Sequence, residues 1–530
     1  MAPFELAVCG TMVLLIISVF KYALASQRPK DFPPGPPCLP IIGNLHQIPL
    51  RKGFLRWQEW GKEYGNIIGF KLGPKNAVVL NSYRHVKELF DKRGAKYSSR
   101  PESYVNGELL CPNEIHILFA SYGPKWRALR KAVQMFLNAK AVDALHPLQV
   151  AESTQTMCDL LDEPSNYYDH IRRYSTAVIL ASVFGQRGAS FQSPKVQALY
   201  RVEDRFTVIL EPGATPPVDA FGFLKYIPEF LSPWKIEARE IRKEQSLLYH
   251  TLLNETKDRI QRKISPPCFM QKVIEDQEKN NFTPEQMAYL GGITMEAGSD
   301  TTSSTLLAFV LAMAQHPEIL KQAQKEVDRV CGIDRSPNFD DIEKLEYVHC
   351  CMQEASTGIV KTLRWRPIAP GGIPHMLTED DSYEGYFIPK GTIVFYNAWA
   401  IHMDEGEYDS PEKFEPARWL NNKFGCKSTA DIDDDHRRTT YSFGAGRRVC
   451  SGQRLAQNSL MLNMAKMVWL FDIRPDSLES LDMDIGSGFT DGIIVAPKKV
   501  PIQFVPRSNQ HARIIRDELQ GSQDLFATYE

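Results

Sequence analysis

Apolar positions along this chain follow mainly a helical period. Leu and Ile recur among Lys, Arg and Glu through 235–265, and a second such stretch runs through 283–330. Recurrence every three to four residues predicts amphipathic helices. Strict alternation, the mark of a half-buried strand, is confined to short runs at Ile67–Leu72, 77–80, 392–396 and 501–505. The body is therefore read as mainly α with a smaller β portion. One helix has clear ends. Thr283 is an N-cap with Pro284 at the first helical position, Gln286 completes a capping box, and Pro317 stops the helix after His316. Some 33 residues at ~1.5 Å each give a rod near ~50 Å, long enough to cross a domain.

The ends depart from this pattern. Residues 4–25 are almost wholly apolar, with an uncharged core at 6–20 and Lys21 following. With Lys21 snorkelling, about 20 residues are available to span a ~30 Å hydrocarbon layer. The core alone also has the length of a cleaved signal peptide. No basic stretch precedes it, however, and Lys21, Arg28 and Lys30 follow it. That charge order favours a retained anchor with the body on the cytoplasmic side. The prolines at 33, 34, 36, 37 and 40 predict a stiff, extended spacer. Residues 212–234 mix Pro and Gly with Phe221, Phe223, Leu224, Tyr226 and Ile227, and read either as a packed loop or as a second membrane-dipping surface. Residues 426–438 read as a polar surface excursion and 509–530 as a loose polar tail.

Composition narrows the class. The chain has 530 residues, 43% apolar and 24% charged types, and a net charge of −2. These values exclude collagen, a disordered tail protein and a polytopic transporter. The charge balance gives no reason to expect nucleic acid. Ten cysteines without a CxxC pair form neither a disulfide framework nor a zinc ribbon, and each is read first as a small buried hydrophobe.

One cysteine stands apart. Phe443-Gly444-Ala445-Gly446-Arg447-Arg448-Val449-Cys450-Ser451-Gly452 is a glycine-rich turn before an apolar run at 455–470. That puts the Cys450 sulfur at a helix N-terminus, where free N–H groups and the helix dipole favour an anion. Thiolate is the form that ligates metal. A second cluster, Ala297-Gly298-Ser299-Asp300-Thr301-Thr302, lies inside the 283–316 helix. A mid-helix glycine costs ~1 kcal/mol, so Gly298 needs a reason, either close helix packing or space for a ligand. Trp126 and Arg130 share one helical face at i, i+4, which suits a common carboxylate or a surface cation–π pair.

With these segments the chain resembles the cytochrome P-450 family of haem-thiolate monooxygenases, from the proline run to about residue 507. Stretches at 40–48 and 385–392 give it the look of the membrane-anchored fungal branch that works on secondary metabolites. The resemblance implies one large domain with haem b (iron protoporphyrin IX) between the long central helix and the cysteine loop. The chain then divides into an anchor at 1–26, a hinge at 27–40, the catalytic body at 41–508 and the tail at 509–530. Cys450 would be the axial iron ligand, with Phe443 beside the sulfur. Cysteinate pushes electron density onto iron and favours O–O cleavage. Arg448, Trp126, Arg130 and His375 would contact the haem propionates. Thr301 would hydrogen-bond dioxygen or a water, Asp300 would relay protons, and the helix would be locally loosened there. Arg418, in Phe414-Glu415-Pro416-Ala417-Arg418-Trp419, would join a buried Glu–Arg pair.

That pair is where the chain departs from the family. The family pattern is Glu-x-x-Arg, yet Glu354 and Arg364 are separated by seven extra residues, 355–361. As written, Lys361 occupies the place of the glutamate. The apolar face stays in phase across the insert, so a straight helix would displace everything upstream by ~10 Å. The alternatives are an excursion that lets Glu354 still meet Arg364, or an exon boundary misplaced in the gene. Removing one partner of a buried ion pair costs ~3–5 kcal/mol. The two functional readings are thus a working monooxygenase and an impaired haem-binding remnant, with a haem-thiolate isomerase or coupling enzyme as a third. The monooxygenase would take electrons from an NADPH-dependent flavin reductase and insert oxygen into a hydrophobic small molecule at the endoplasmic reticulum membrane. Arg437, Arg438, Arg447 and Arg454 would form its docking face, or an ordinary solvated one. Substrate contacts are expected from 103–119, 209–224, 290–302, 368–374 and Phe489.

Overall fold

The computed structural model describes every residue except Met1, Pro212, 356–363, Asn421, 431–436 and Thr439. Helices dominate. The 283–330 pattern is two helices, Pro284–Gln315 and Pro317–Cys331, broken where Pro317 removes an N–H donor. The central helix Pro284–Gln315 starts as its sequence requires. The Thr283 hydroxyl accepts from the Gln286 N–H, and the Gln286 side chain accepts from the Thr283 N–H. Such a cap stabilises by ~1 kcal/mol. The 235–265 pattern is the single helix Pro233–Gln261.

The strands match the alternating runs closely. Ile67–Leu72 pairs antiparallel with Lys75–Leu80, which runs parallel to Ile393–Tyr396, which pairs in turn with His375–Met376. A hairpin of Asp381–Tyr383 and Tyr386–Ile388 and a pair of Phe471–Pro475 with Ile502–Pro506 complete the β portion.

Two large apolar clusters share the central helix. Its N-terminal part, including Met287 and Met295, packs with Phe184, Leu252 and Met270. Its C-terminal part, including Leu306 and Met313, packs with Tyr174, Met352, Leu460 and Trp469. The small and polar stretch from Glu296 to Thr305 lies between them, where apolar burial does not dictate the sequence.

Two expectations need correction. The proline run is not a free spacer but is docked on the sheet. The Gly69 N–H donates to the Pro34 carbonyl at 2.7 Å, the Asn44 amide donates to Pro36 and Pro37, and Arg28 bridges Pro36 and Gly69. Gly35 permits this, because a Cβ there would lie 2.0 Å from the Gly69 oxygen. Nor are residues 509–530 a loose tail. They form helices Asn509–Gln520 and Gln523–Tyr529, whose polar composition hides two buried anchors, Ile515 and Phe526. Arg187 lies over the Phe526 ring and pairs with the Glu530 side chain, while Arg259 holds the carbonyls of Thr528 and Glu530. Of the polar excursion, 431–436 lie outside the described residues; within the rest, Cys426 packs with Tyr408 and Phe424. The helix Ala2–Ala25 does stand apart from the body. Its 7–25 stretch is long and apolar enough to cross a membrane and is not buried against protein.

Candidate active site

Cys450 follows a turn shaped by glycine. Gly444 and Gly446 have φ of +78° and +61°, and a Cβ on Gly446 would sit 2.1 Å from the Phe90 oxygen. The Gly446 N–H donates to Asp91, and the Cys450 N–H donates to the Phe443 carbonyl at 2.9 Å. Phe443 is half-buried and thus holds the cysteine through its backbone. The helix Gln453–Leu470 begins three residues on. The Cys450 side chain is accessible, yet protein crowds the region around it. Burial pushes its thiol pKa up, against the Gly452 N–H and the Arg130 charge. A ligating metal would reverse that balance.

Beside this turn lies an excess of positive charge. Arg448 donates to the carbonyls of Ser98, Ile117 and Ala120, and stacks 4.3 Å over the Trp126 ring. Arg130 donates to the Val449 carbonyl at 2.5 Å, and its buried Nε has no partner among the described residues. Arg100 donates to Leu118, Ile373 and Pro374. Burial and then the charges of Arg100 and Arg130 press the Arg448 pKa down to about 8, and burial takes Arg100 down to about 10. Three neighbouring guanidiniums bonded to carbonyls call for an anion of matching charge, and the two propionates of a haem fit that demand. His375 donates from Nδ1 to the Tyr97 carbonyl and stacks on Phe90 at 4.2 Å. Sequence reading missed Arg100. It lies in an irregular segment before Pro101, where no periodicity marks it.

In the central helix, Thr301 and Ala297 occupy one face, one turn apart, and both are accessible amid buried neighbours. The Thr301 hydroxyl donates to the Ala297 carbonyl at 2.7 Å. Gly298 has the packing explanation: a Cβ there would lie 2.8 Å from Ile179 of helix Tyr167–Phe184. The residue that keeps the accessible face small is Ala297. The anticipated loosening is absent. The helix is unbroken, although Ser299, Thr301, Ser303 and Thr305 all bond carbonyls one turn back. Asp300 turns the other way and sits 3.8 Å from Arg172, which also holds exposed Asp204 at 3.1 Å. Burial raises the Asp300 pKa to about 6, with Arg172 opposing.

Glu354 and Arg364 are fully buried and paired. The Glu354 carboxylate accepts from Arg364, from the Glu415 N–H, from Arg418 at 3.2 Å and from the Trp419 indole at 2.9 Å. These bonds hold its pKa low despite burial. The Trp365 N–H donates to the Glu354 carbonyl at 3.1 Å. Those residues are eleven apart, but four apart once the seven extra residues are discounted, which is the helical spacing. The flanking residues therefore keep helical spacing across the insert, and Glu354 still meets Arg364. Of 355–361, all but Ala355 lie outside the described residues, Lys361 included.

The four arginines read as a docking face divide. Arg437 pairs with Glu407, Arg438 with Asp91 and Arg454 with Asp143. Arg447 is exposed and bonds the Tyr122 hydroxyl. The helix Pro124–Phe136, whose Arg130 reaches Val449, exposes Lys125, Arg127 and Lys131.

A cysteine at a helix N-terminus beside buried cations, under a long helix with an accessible Ala–Thr face, defines a haem-thiolate protein. Comparison with known proteins agrees. The cytochrome P450 family model matches residues 33–504. A cytochrome P450 monooxygenase of Arthrobotrys oligospora is 36% identical over all of this chain and 98% of its own length. The monooxygenase yanC of Aspergillus niger is 36% identical over 99% of this chain and 98% of its own length, and patH of Penicillium expansum 36% over 100% and 99%. A zebrafish cytochrome P450 solved with progesterone superposes with a TM-score of 0.68 at 24% identity, covering 86% of this chain and 99% of that one. The chain belongs to the cytochrome P450 family; it is a haem-thiolate monooxygenase with the P450 fold.

Proposed function

We propose that this chain is an active monooxygenase that inserts one oxygen atom from O2 into a hydrophobic small molecule of secondary metabolism, using electrons from an NADPH-dependent flavin reductase. The observation that carries this reading, against an impaired remnant, is the closure of Glu354 on Arg364 and Trp365 despite the insertion. Cys450 holds the haem iron, while Arg448, Arg130, Arg100, Trp126 and His375 hold its carboxylates. The haem supplies oxygen activation, which its thiolate ligand favours. Thr301 positions a hydroxyl on the accessible helix face. Asp300, with a pKa of about 6, both gains and loses a proton near neutral pH. Arg172 links it to Asp204 at the surface. Lys125, Arg127, Lys131 and Arg447 offer an acidic reductase its docking face.

In this reading the apolar helix is an anchor in the endoplasmic reticulum membrane with the body on the cytoplasmic side, which its length and composition support. Tyr22 of that helix stacks on Phe221 at 6.1 Å, and Phe223, Tyr226, Phe230 and Leu231 beyond it are 63–86% exposed. An apolar loop of this size beside an anchor suits a second membrane contact.

The test is the reduced, carbon-monoxide-bound spectrum of the chain as written. A strongly red-shifted Soret band is expected, and Cys450→Ala should abolish it. Absence of the band in the unaltered chain would refute activity; its persistence in the variant would refute the ligand assignment.

A further inference from the structure

Four carboxylates gather beside the central helix. Asp300 and Glu296 lie one turn apart on it, and Glu203 and Asp204 come from helix Pro194–Ile209. The first three are buried, while the Asp204 side chain is 58% exposed. Like charges at this range cannot all ionise. Burial, and then the charges of Asp300 and Glu296, hold Glu203 well above the ordinary carboxyl range. Burial raises Glu296 to about 7, against bonds from Tyr249 and Gln245. Arg172 of helix Tyr167–Phe184 is the cation set among them, 3.8 Å from Asp300 and 3.1 Å from Asp204. Burial opposes its charge, but Asp204, Tyr200, Tyr168 and Asp300 together outweigh burial, so it stays protonated. Where this guanidinium sits therefore decides which buried acid releases a proton near neutral pH.

The ion pairs alone do not keep it inside. A long side chain regains rotamer freedom and water by swinging out to exposed Asp204. Two aromatic rings hold it instead. The guanidinium lies 4.3 Å from the Tyr200 ring centre and 5.3 Å from that of Tyr168. Tyr168 precedes Arg172 by one turn on the same face of its helix. Each ring is itself fixed. The Tyr200 hydroxyl donates to the Arg172 carbonyl at 2.9 Å and accepts from Thr176 at 3.1 Å, and the Tyr168 hydroxyl donates to the Pro497 carbonyl at 3.2 Å. A cation over aromatic rings is held more strongly as water is excluded, and Tyr200 is buried.

We infer that Tyr168 and Tyr200 are positioning residues for proton delivery: their rings hold the Arg172 guanidinium against Asp300, and so make Asp300, rather than Glu203 or Glu296, the acid that exchanges protons between surface and site. Arg172 keeps its own proton throughout. The one that moves is taken from surface water by the Asp300 carboxylate and given up to water on the Thr301 side of the helix, which leaves the carboxylate as it began. This rests on the reading of Asp300 as a relay and adds the two residues that give it that role.

The first readout is thermal stability against pH for the full haem-loaded chain, each variant compared with its own Asp300→Asn counterpart. The folded pKa of Asp300, about 6, lies above the ordinary 3.8, so ionisation destabilises; the gap opens from about pH 4 and levels off near 6. Arg172→Gln removes the opposing charge and should move the levelling point up by about one pH unit or more. Tyr200→Leu and Tyr168→Leu should each move it the same way, while Tyr200→Phe and Tyr168→Phe, which keep the rings, should leave it near 6. Tyr168→Leu, at the half-buried ring, carries the test if Tyr200→Leu does not fold. A levelling point unmoved in the leucine variants, or moved as far by phenylalanine as by leucine, overturns the inference. The second readout is NADPH consumption with an NADPH-dependent flavin reductase and no added substrate. Its fall with rising pH should pass through about 6, shift upward in the leucine variants and vanish in Asp300→Asn. A fall that survives in Asp300→Asn refutes the relay reading alone, and leaves the placement of Arg172 standing on the first readout.

Discussion

Deleting 355–361 joins Glu354 to Thr362 and puts Arg364 at i+3 and Trp365 at i+4. The Trp365–Glu354 backbone bond and the Glu354–Arg364 pair already have that relation, so the deletion keeps both and asks the core only to exchange the buried Ala355 for Thr362. Closing a loop of about ten residues between those fixed ends costs ~2 kcal/mol in chain entropy, and the deletion removes that cost. For a body of about 470 residues, with an unfolding entropy near ~1 kcal/mol per degree, Tm rises by about 1–2 °C. Haem content and the red-shifted band stay at the level of the unaltered chain. Glu354→Gln is the contrast. A neutral amide leaves Arg364 and Arg418 uncompensated in the core, at ~3–5 kcal/mol, and turns an NH2 toward donors. Tm then falls by about 3–5 °C and haem is lost. The assay is differential scanning fluorimetry with haem quantified after gel filtration. A deletion that sheds haem, or lowers Tm by several degrees, refutes the argument from register.

Asp300 sets a pH dependence: its folded pKa of about 6 exceeds the ordinary 3.8, so its contribution is complete below about pH 4 and is lost as pH rises through 6. Asp300→Asn therefore gains thermal stability over the unaltered chain between pH 4 and 7, by up to ~3 kcal/mol, and a pH-independent difference refutes this. Arg100→Leu weakens haem retention, measured by transfer to apomyoglobin, at least tenfold more than Arg447→Leu, because Arg100 belongs to the buried cluster and Arg447 is exposed. Removing residues 1–25 leaves residual binding to phospholipid vesicles, which serines at Phe223, Tyr226, Phe230 and Leu231 then abolish; full release on truncation alone refutes the second contact.

Much of the fold was legible wherever periodicity or a cap carried it. The central helix begins and ends at its marked residues, and the four alternating runs are strands to within a residue or two. The 509–530 segment misled because two buried residues among many polar ones leave a weak pattern, although they suffice to dock a helix. The proline run misled because its docking depends on Gly69, more than thirty residues away. In the site, fixed-offset motifs marked Cys450, Thr301 and Arg418. Gly298 was open to either helix packing or ligand space, since spacing alone does not tell which helix face meets a neighbour; it packs on Ile179. Arg100 gave no signal, because only tertiary structure buries a lone arginine from an irregular segment beside the cysteine loop. The insertion looked graver in sequence than in three dimensions, where Glu354 still meets Arg364.

The clamp on the last residues bears on how the chain is made. Arg187 follows the helix Tyr167–Phe184 and Arg259 lies in the last turn of Pro233–Gln261, and both wait for Phe526 to Glu530. The helix Pro233–Gln261 is complete about 270 residues earlier, which at ~5–20 residues per second is roughly 15–55 s of synthesis. Throughout that interval its C-terminal end lacks its final contact. The end of that helix is thus secured last, after the cysteine loop has emerged.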